Sequence, residues 1–287
     1  MIKVLVTGAN GQLGETIKEL FCTNSDDILF TFTTKVELDI TIKDKVDEFF
    51  NKNKFDYCIN CAAYTNVEQA EIDTKSAFKV NAEGVRHIAQ ICKDTNTILI
   101  HISTDYVFDG SKKEPYSEED IPNPINEYGK SKLLGEKHIQ EVLERYFIIR
   151  TSWLYSKYGN NFVKSIVNKI NENSELKVIT SQKGTPTRCV DLSEFIYYLL
   201  KSSCIDYGIY HFSAIGETTW HDLAVHISKH FTQNNSSNIL PIKMVKSKTK
   251  RPLYSVLNNS KSQHIFSKKV DWRKSVDEVV KNLIINQ

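Results

Sequence analysis

The chain has 287 residues, of which 40% are hydrophobic and 25% charged, the proportions of an ordinary water-soluble globular protein. Disordered, collagen-like and low-complexity classes are excluded, and no stretch approaches the roughly 20 apolar residues of a membrane span. The 37 basic and 35 acidic residues leave a net charge of +2, which gives nucleic acid no general footing.

The opening run Ile2-Lys3-Val4-Leu5-Val6 is too short for a signal peptide and has no small-residue cleavage site after it. It reads as a first strand, and a cytosolic protein with no membrane partner is expected. Further strands are predicted at 28–32, 56–61, 97–103 and 146–151. These are near-continuous apolar runs, as strands covered on both faces require. Helical patterns fall between them at about 13–22, 42–52, 74–94 and 126–144. Strand and helix in alternation imply an α/β fold, a doubly wound parallel sheet of Rossmann type. After residue 151 the pattern is less regular. Helices are predicted near 160–172, 190–202, 219–231 and 274–285, and strands near 176–180 and 208–213, with a polar, loop-rich stretch over 232–262. The expected organisation is a dinucleotide-binding unit over 1–151, to whose sheet later elements can return, and a smaller substrate-binding unit over 152–287.

Three local features are weighed here. Cys58 and Cys61 lie three apart in a strand-like run, where their side chains point to opposite faces. With no second pair to complete a zinc site, free thiols are expected. His226 and His230 have the spacing of one helical turn but no acid between them, so a surface or core role is expected and no metal ligand is assigned. Residues 243–274 carry ten Lys or Arg against the single acid Asp271. That is a solvated basic surface or one wall of a pocket for an anionic substrate. No aromatic-interleaved or helix-turn-helix pattern accompanies it, so no nucleic-acid partner is expected.

The first strand runs into Thr7-Gly8-Ala9-Asn10-Gly11-Gln12-Leu13-Gly14. Gly8 permits a tight turn, Gly11 lets a pyrophosphate approach the backbone, and Gly14 allows close helix–strand packing. The helix that follows presents free N–H groups and a partial positive charge to phosphate. The second strand ends at Thr33-Thr34-Lys35. It has neither the acid that favours the ribose 2′-hydroxyl of NAD nor the Arg that favours the 2′-phosphate of NADP. Two threonines and a lysine tolerate a phosphate, so the reading leans to NADPH and leaves NADH open.

Tyr128 and Lys132 lie four apart at the start of a helical stretch and therefore share a face. A free tyrosine, with a pKa near about 10, is a poor acid at neutral pH. An ammonium about 4 Å away, at an effective dielectric of about 20, favours the tyrosinate by roughly 4 kcal/mol before desolvation is subtracted. Upstream, Ser103-Thr104-Asp105-Tyr106 closes the fourth strand, at the end of the sheet where doubly wound folds bind their ligands. The Thr104 hydroxyl there can hydrogen-bond a carbonyl and its developing alkoxide.

The Gly-x2-Gly-x2-Gly spacing resembles the extended branch of the short-chain dehydrogenase/reductase superfamily. Together with Asn60–Thr65, Ser103–Gly110, Tyr128–Lys132, Arg150–Tyr155, Gly159–Val163, Gly184–Thr187 and Arg251–Leu257, the chain closely resembles the dTDP-4-dehydrorhamnose reductase family over nearly its whole length. The resemblance implies reduction of the C4 ketone of dTDP-4-dehydro-L-rhamnose by NAD(P)H. Tyr128 would be the proton donor, with Lys132 supporting it and Thr104 polarising the carbonyl. It implies a cofactor site of Gly8, Asn10, Gly11, Gln12, Leu13, Gly14, Asp39, Ile40, Ala62, Ala63, Tyr64, Ser103, Tyr128 and Lys132. It implies a sugar-nucleotide site of Thr104, Asp105, Trp153 and Arg251, the last meeting the diphosphate.

Ser181-Gln182-Lys183-Gly184 departs from the family's Asp-Gln-x-Gly. The acidic set through which some members hold magnesium at a dimer interface is not matched, since Arg188, Cys189 and Val190 occupy one of its positions. Magnesium is therefore not expected, and a homodimer is left open. Two other readings stay open: a reductase of another nucleotide-linked 4-keto-6-deoxyhexose, and a non-catalytic NADP-binding regulatory subunit resembling that of methionine adenosyltransferase.

Overall fold

The computed structural model describes residues 1–22, 27–202, 204–231, 238–243 and 247–285. Its first half alternates β1 (Ile2–Thr7), α1 (Gln12–Phe21), β2 (Ile28–Thr33), α2 (Lys43–Asn53), β3 (Tyr57–Asn60), α3 (Val67–Ile72), α4 (Thr74–Phe78), α5 (Val85–Asp94), β4 (Ile98–Thr104), α6 (Glu127–Val142) and β5 (Tyr146–Thr151). The second half holds β6 (Leu154–Tyr155), α7 (Phe162–Asn171), β7 (Leu176–Ile179), β8 (Lys183–Gly184), β9 (Thr187–Arg188), α8 (Cys189–Lys201) and β10 (Gly208–His211). It ends with β11 (Thr218–Thr219), α9 (Trp220–Ser228), β12 (Ile239–Ile242), α10 (Ser260–Ile265) and α11 (Trp272–Ile285).

Six strands form one parallel sheet in the order β2-β1-β3-β4-β5-β10. The period of two along each strand decides which layer each side chain joins. Val4, Val6, Ile100, Phe147 and Ile149 pack with Leu13 and Ile17 of α1 and Leu192, Phe195 and Leu199 of α8. Leu5, Leu99 and Ile148, one residue out of phase, pack with Val46 and Phe50 of α2, Val85 and Ile88 of α5, and Ile139 of α6. The sheet is thus covered on both faces, as its unbroken apolar strands require. The strand expected near 208–213 is its sixth member, β10, and α8 covers part of one face; both come from beyond residue 151. The remaining second-half elements enclose a separate cluster that includes Tyr155, Ile166, Val178, Leu223, Ile227, Trp272 and Val280.

Two expected elements differ. The helix expected over 74–94 is interrupted by a π-helical segment, Lys79–Gly84. There the buried Asn81 turns its amide toward Tyr64 and Ser131, donating to the Tyr64 carbonyl at 3.0 Å and to Ser131 Oγ at 2.9 Å. Such bulges form where a helical side chain is re-aimed inward. The stretch 232–262, expected as loop, contains β12 paired in parallel with β7 and the start of α10, while 232–237 and 244–246 lie outside the described residues.

Helix α6 is bolted to the sheet by a buried ion pair. Arg150 of β5 and Glu136 are 2% and 0% exposed, with Arg150 Nη2 donating to Glu136 Oε2 at 2.7 Å and Nε donating to Oε1 at 3.0 Å. Ser103 of β4 also donates to Glu136. On another side of α6, Gly135 permits close packing against the π-helical segment, because a Cβ there would stand 2.2 Å from the Asn81 carbonyl oxygen. Removing one partner of a buried pair strands the other charge away from water. Glu136→Ala should therefore lower stability by about 3–5 kcal/mol, read as a fall in the urea midpoint; an unchanged midpoint would contradict the role given to the pair.

Candidate functional site

In the sheet order, β2 lies on one side of β1 and β3 on the other. The loops leaving the carboxyl ends of β1 and β3 therefore part, and a crevice opens between them. A cavity of about 610 Å³ occupies that crevice, within the range that holds small ligands and cofactors. Gly8, Asn10, Gly11, Gln12, Leu13 and Gly14 form one wall; Cys61, Ala63 and Thr65 continue it after β3. Ser103, Thr104 and Asp105 enter from β4, Tyr128 and Lys132 from α6, and Thr151–Leu154 with Gly159 and Asn160 close it from the second half.

Gly8 has φ of +65°, and a Cβ there would lie 2.6 Å from the Ala62 amide nitrogen. Only glycine fits both constraints. The chain then enters α1 with no side-chain cap on its first turn, so backbone N–H groups face the cavity unclaimed. Gln12 ties this loop to the second half by accepting from Asn161 Nδ2 at 2.9 Å.

Helix α6 starts at an anchored point. Asn126 accepts from the Gly129 amide at 2.8 Å and donates to the Lys250 carbonyl at 3.0 Å, which fixes the turn that carries Tyr128. The Tyr128 ring meets Tyr106 edge-on at 5.9 Å. Burial pushes its phenol up to about 12, against a hydrogen bond with Thr104 that pulls it down, while the Asp105 carboxyl pushes it further up. The expectation of a tyrosine lowered by Lys132 is not what the site displays. The Lys132 ammonium is turned to β4, donating to the Ile102 carbonyl at 2.6 Å with His101 Nε2 at 3.3 Å. Burial brings it down to about 8, opposed by Glu136 one turn away and by Cys61. His101 is itself kept well below its usual value by burial and by Lys132, so it stays neutral beside the ammonium. Thr104 Oγ donates to Asp105 Oδ1 at 3.1 Å. Burial raises the Asp105 carboxyl to about 7, with Ser255 and Thr104 acting against it. Asp105 Oδ2 and Thr151 Oγ1 are buried with no hydrogen-bond partner among the described residues.

Trp153 is held from three sides. Its backbone has φ of +46°, its ring stacks on Trp220 at 3.5 Å and 7°, and a Cβ on Gly184 would come 2.5 Å from its Cε2.

Five residues named from the sequence do not line this cavity. Asp39 accepts from the Thr41 amide and hydroxyl at 3.0 and 2.8 Å. Ile40 is a core residue at 3% exposure. Ala62 lies beneath Gly8, and the Tyr64 backbone is clamped by Asn81. Arg251 is paired with Glu68 at 2.6 Å. Conversely, sequence reasoning passed over His101, Asn60, Glu136 and Thr151. Asn60 Nδ2 is 3.1 Å from His101 Nδ1 and accepts on Oδ1 from Thr7 at 2.7 Å, continuing the polar chain behind Lys132. A polar residue interrupting each apolar strand run was the available signal, as was the i,i+4 step from Lys132 to Glu136.

The family described as RmlD substrate binding domain matches residues 2–285. The chain is 35% identical to a dTDP-4-dehydrorhamnose reductase of Aggregatibacter actinomycetemcomitans, over 97% of this chain and 98% of that one. It belongs to the dTDP-4-dehydrorhamnose reductase family. A solved dTDP-4-dehydrorhamnose reductase of Bacillus anthracis, in complex with NADP, superposes with a TM-score of 0.92 at 36% identity, covering 98% of this chain and all of that one. A dTDP-4-keto-6-deoxy-D-glucose reductase of Streptomyces niveus is 37% identical over 77% of this chain and 75% of its own length.

Within this reductase-family site the Lys132 ammonium has a thermodynamic signature. Folded Lys132 releases its proton near 8, whereas the unfolded residue holds it to about 10.4. Between those values the unfolded chain binds more protons, so the residue's contribution to stability rises with pH; below 8 it is a standing cost. The stability difference between wild type and Lys132→Met should therefore shift in favour of wild type from pH 7 to pH 10, by on the order of 3 kcal/mol. Urea unfolding across that range measures it, and a flat difference would show that the ammonium is not desolvated.

Proposed function

We propose that the protein reduces the C4 ketone of dTDP-4-dehydro-L-rhamnose to the alcohol of dTDP-L-rhamnose, using NADPH in the cytosol. The observation that carries this reading is the single cavity at the sheet's switch point, where the glycine loop, Thr104, Tyr128, Lys132 and Trp153 all meet. No helix among the described residues is long and apolar enough to cross a membrane.

The residues present fit the cofactor. Gly11 faces open space, where a Cβ would meet only the Gly8 carbonyl oxygen at 3.2 Å, and the uncapped first turn of α1 offers N–H groups to a pyrophosphate. Ser103, Ala63, Lys132 and the unpartnered Thr151 hydroxyl line the space beyond. We place the adenosine end beyond Gly8, toward Asp39, Ile40, Ala62 and Tyr64. When bound, the reduced nicotinamide supplies a hydride equivalent.

Everything else is work for this chain's own groups. The ketone oxygen is assigned to the space between Thr104 Oγ and the Tyr128 hydroxyl, with Thr104 turning its proton from Asp105 to that oxygen, so that both donors favour the charge that gathers there as carbon is reduced. Tyr128, neutral at physiological pH, gives up its phenolic proton to that oxygen and regains one from Lys132, which is itself recharged from solvent. Lys132 is a cation below about 8; its charge favours the tyrosinate left behind. Trp153, with one face on Trp220, offers apolar ring surface and an indole N–H to the sugar. The diphosphate is assigned to Arg251, which would have to be released from Glu68 to take it.

A second reading, a 4-keto-6-deoxyhexose other than the rhamnose precursor, draws on the Streptomyces niveus relative. NADPH oxidation with dTDP-4-dehydrorhamnose, followed by NMR of the product, separates the two. Formation of dTDP-L-rhamnose supports the proposal, and turnover confined to another epimer overturns it. Tyr128→Phe should lower turnover by roughly 10²–10⁴-fold, the usual worth of a general acid, with NADPH affinity little changed. Near-normal turnover in that variant would remove Tyr128 as the donor.

A further inference from the structure

His226 lies on α9 and His230 in the turn just past its end, and both rings face Asp277 on α11. Nε2 of each lies 2.7 Å from the same carboxylate oxygen, Oδ1. One ligand atom from each of the three lies within 4.8 Å of the other two, and among the described residues this is the one such cluster of His, Cys and acidic side chains. The acid missing between the two histidines in the sequence arrives from a different helix, 47 residues beyond His230.

Two imidazole nitrogens and a carboxylate oxygen are a donor set for late first-row divalent cations, and three protein ligands with one position left for water is a familiar zinc arrangement. The frame around them is rigid. The His226 ring meets the buried Trp272 edge-on at 5.1 Å, and α9 and α11 pack through Leu223, Ile227, Val276 and Val280. The His226, His230 and Asp277 side chains are 16%, 18% and 34% exposed, sheltered yet open to an ion from solvent. The hollow beside His226 is lined by two acids, Glu217 and Asp222, as well as by Lys229 and Arg273, and Arg273 is itself paired with Asp271.

We propose that His226, His230 and Asp277 bind a zinc ion that ties α9 to α11, with water as the fourth ligand. Zinc–ligand bonds of about 2.0–2.1 Å in a tetrahedron put donor atoms roughly 3.3 Å apart. The two nitrogen–oxygen separations must therefore open by about 0.6 Å, a small turn of three side chains. Each Nε2 then presents its lone pair, and the proton it now carries toward Asp277 moves to Nδ1 or to solvent. None of the three lines the reductase cavity, but α9 begins at Trp220, which backs Trp153, so the ion would steady that wall.

The test uses full-length protein stripped of metal and titrated with zinc chloride by calorimetry and thermal unfolding. One equivalent should bind, and at about a hundred times Kd the unfolding midpoint should rise by roughly 5 °C. His230→Gln and Asp277→Asn should each weaken zinc at least tenfold, by about the loss seen even for groups that only orient metal ligands, and abolish most of the shift. Turnover without zinc should be unchanged in both. Should either variant fail to fold, the imidazole NMR signals of His226 and His230 in wild type report instead, and both should move on adding zinc. No saturable binding, an affinity unchanged in both variants, or zinc uptake that leaves those two signals in place would overturn the proposal.

Discussion

Burying the Lys132 ammonium costs solvation that only matched partners return, and the elements around it are arranged for that return. Tyr128, Lys132 and Glu136 follow one another at successive turns of α6 and form one stripe. The stripe lies on the ends of β4 and β5. The Ile102 carbonyl takes the ammonium directly, His101 stands beside it as a neutral ring, and Glu136 supplies a compensating charge one turn on. Glu136 is in turn committed to Arg150 and Ser103. Helix α6 cannot slide along the sheet without stranding a charge, so the position of the Tyr128 hydroxyl is fixed by electrostatics several ångströms behind it.

The second half of the chain makes the opposite wall by different means. Trp153 lies two residues past the end of β5 and takes a left-handed backbone conformation that non-glycine residues adopt at a cost of order 1–3 kcal/mol. The surroundings over-determine it through the Trp220 stack and the bare Gly184 below its ring. A ring held this way arrives at the cavity already aimed, so little ordering is left for binding to supply.

How much of this was legible in the sequence depended on whether the physics was local. The central strands could be read because burial on both faces leaves a nearly pure apolar run, and the glycine turn because only glycine tolerates the φ at residue 8 and the nearness of Ala62. The shared face of Tyr128 and Lys132 followed from helical spacing alone, although Glu136, the third member of that stripe, was passed over. Long-range partnerships were not legible. Nothing near Arg251 announces Glu68, nothing near His226 and His230 announces Asp277, and the polar residues inside strands, His101 and Arg150, gained meaning only when β4 and β5 lay beneath α6. The π-helical segment at 79–84 was hidden for the same reason: it exists to bring Asn81 to Tyr64 and Ser131, two residues distant in sequence. The direction of the Tyr128 shift was missed because spacing gives proximity but not orientation. Lys132 shares a face with the tyrosine yet spends its donors on β4.

That orientation bears on proton movement under the proposed chemistry. In water a tyrosine and a lysine release protons at nearly the same pH. Here the two are driven apart, the phenol up to about 12 and the ammonium down to about 8, chiefly by the same burial acting on opposite charge types. The neutral phenol is the form that must meet the ketone, and it is fully populated at physiological pH even without the upward shift. The ammonium becomes the more willing acid of the two, so once Tyr128 has given its proton away, the gradient runs from Lys132 toward the tyrosinate and not back. A tyrosine and a lysine that both kept their ordinary affinities for protons would leave that direction nearly undecided. Burial at the foot of α6 therefore does more than hold the helix in register, since it sets which way the site recharges.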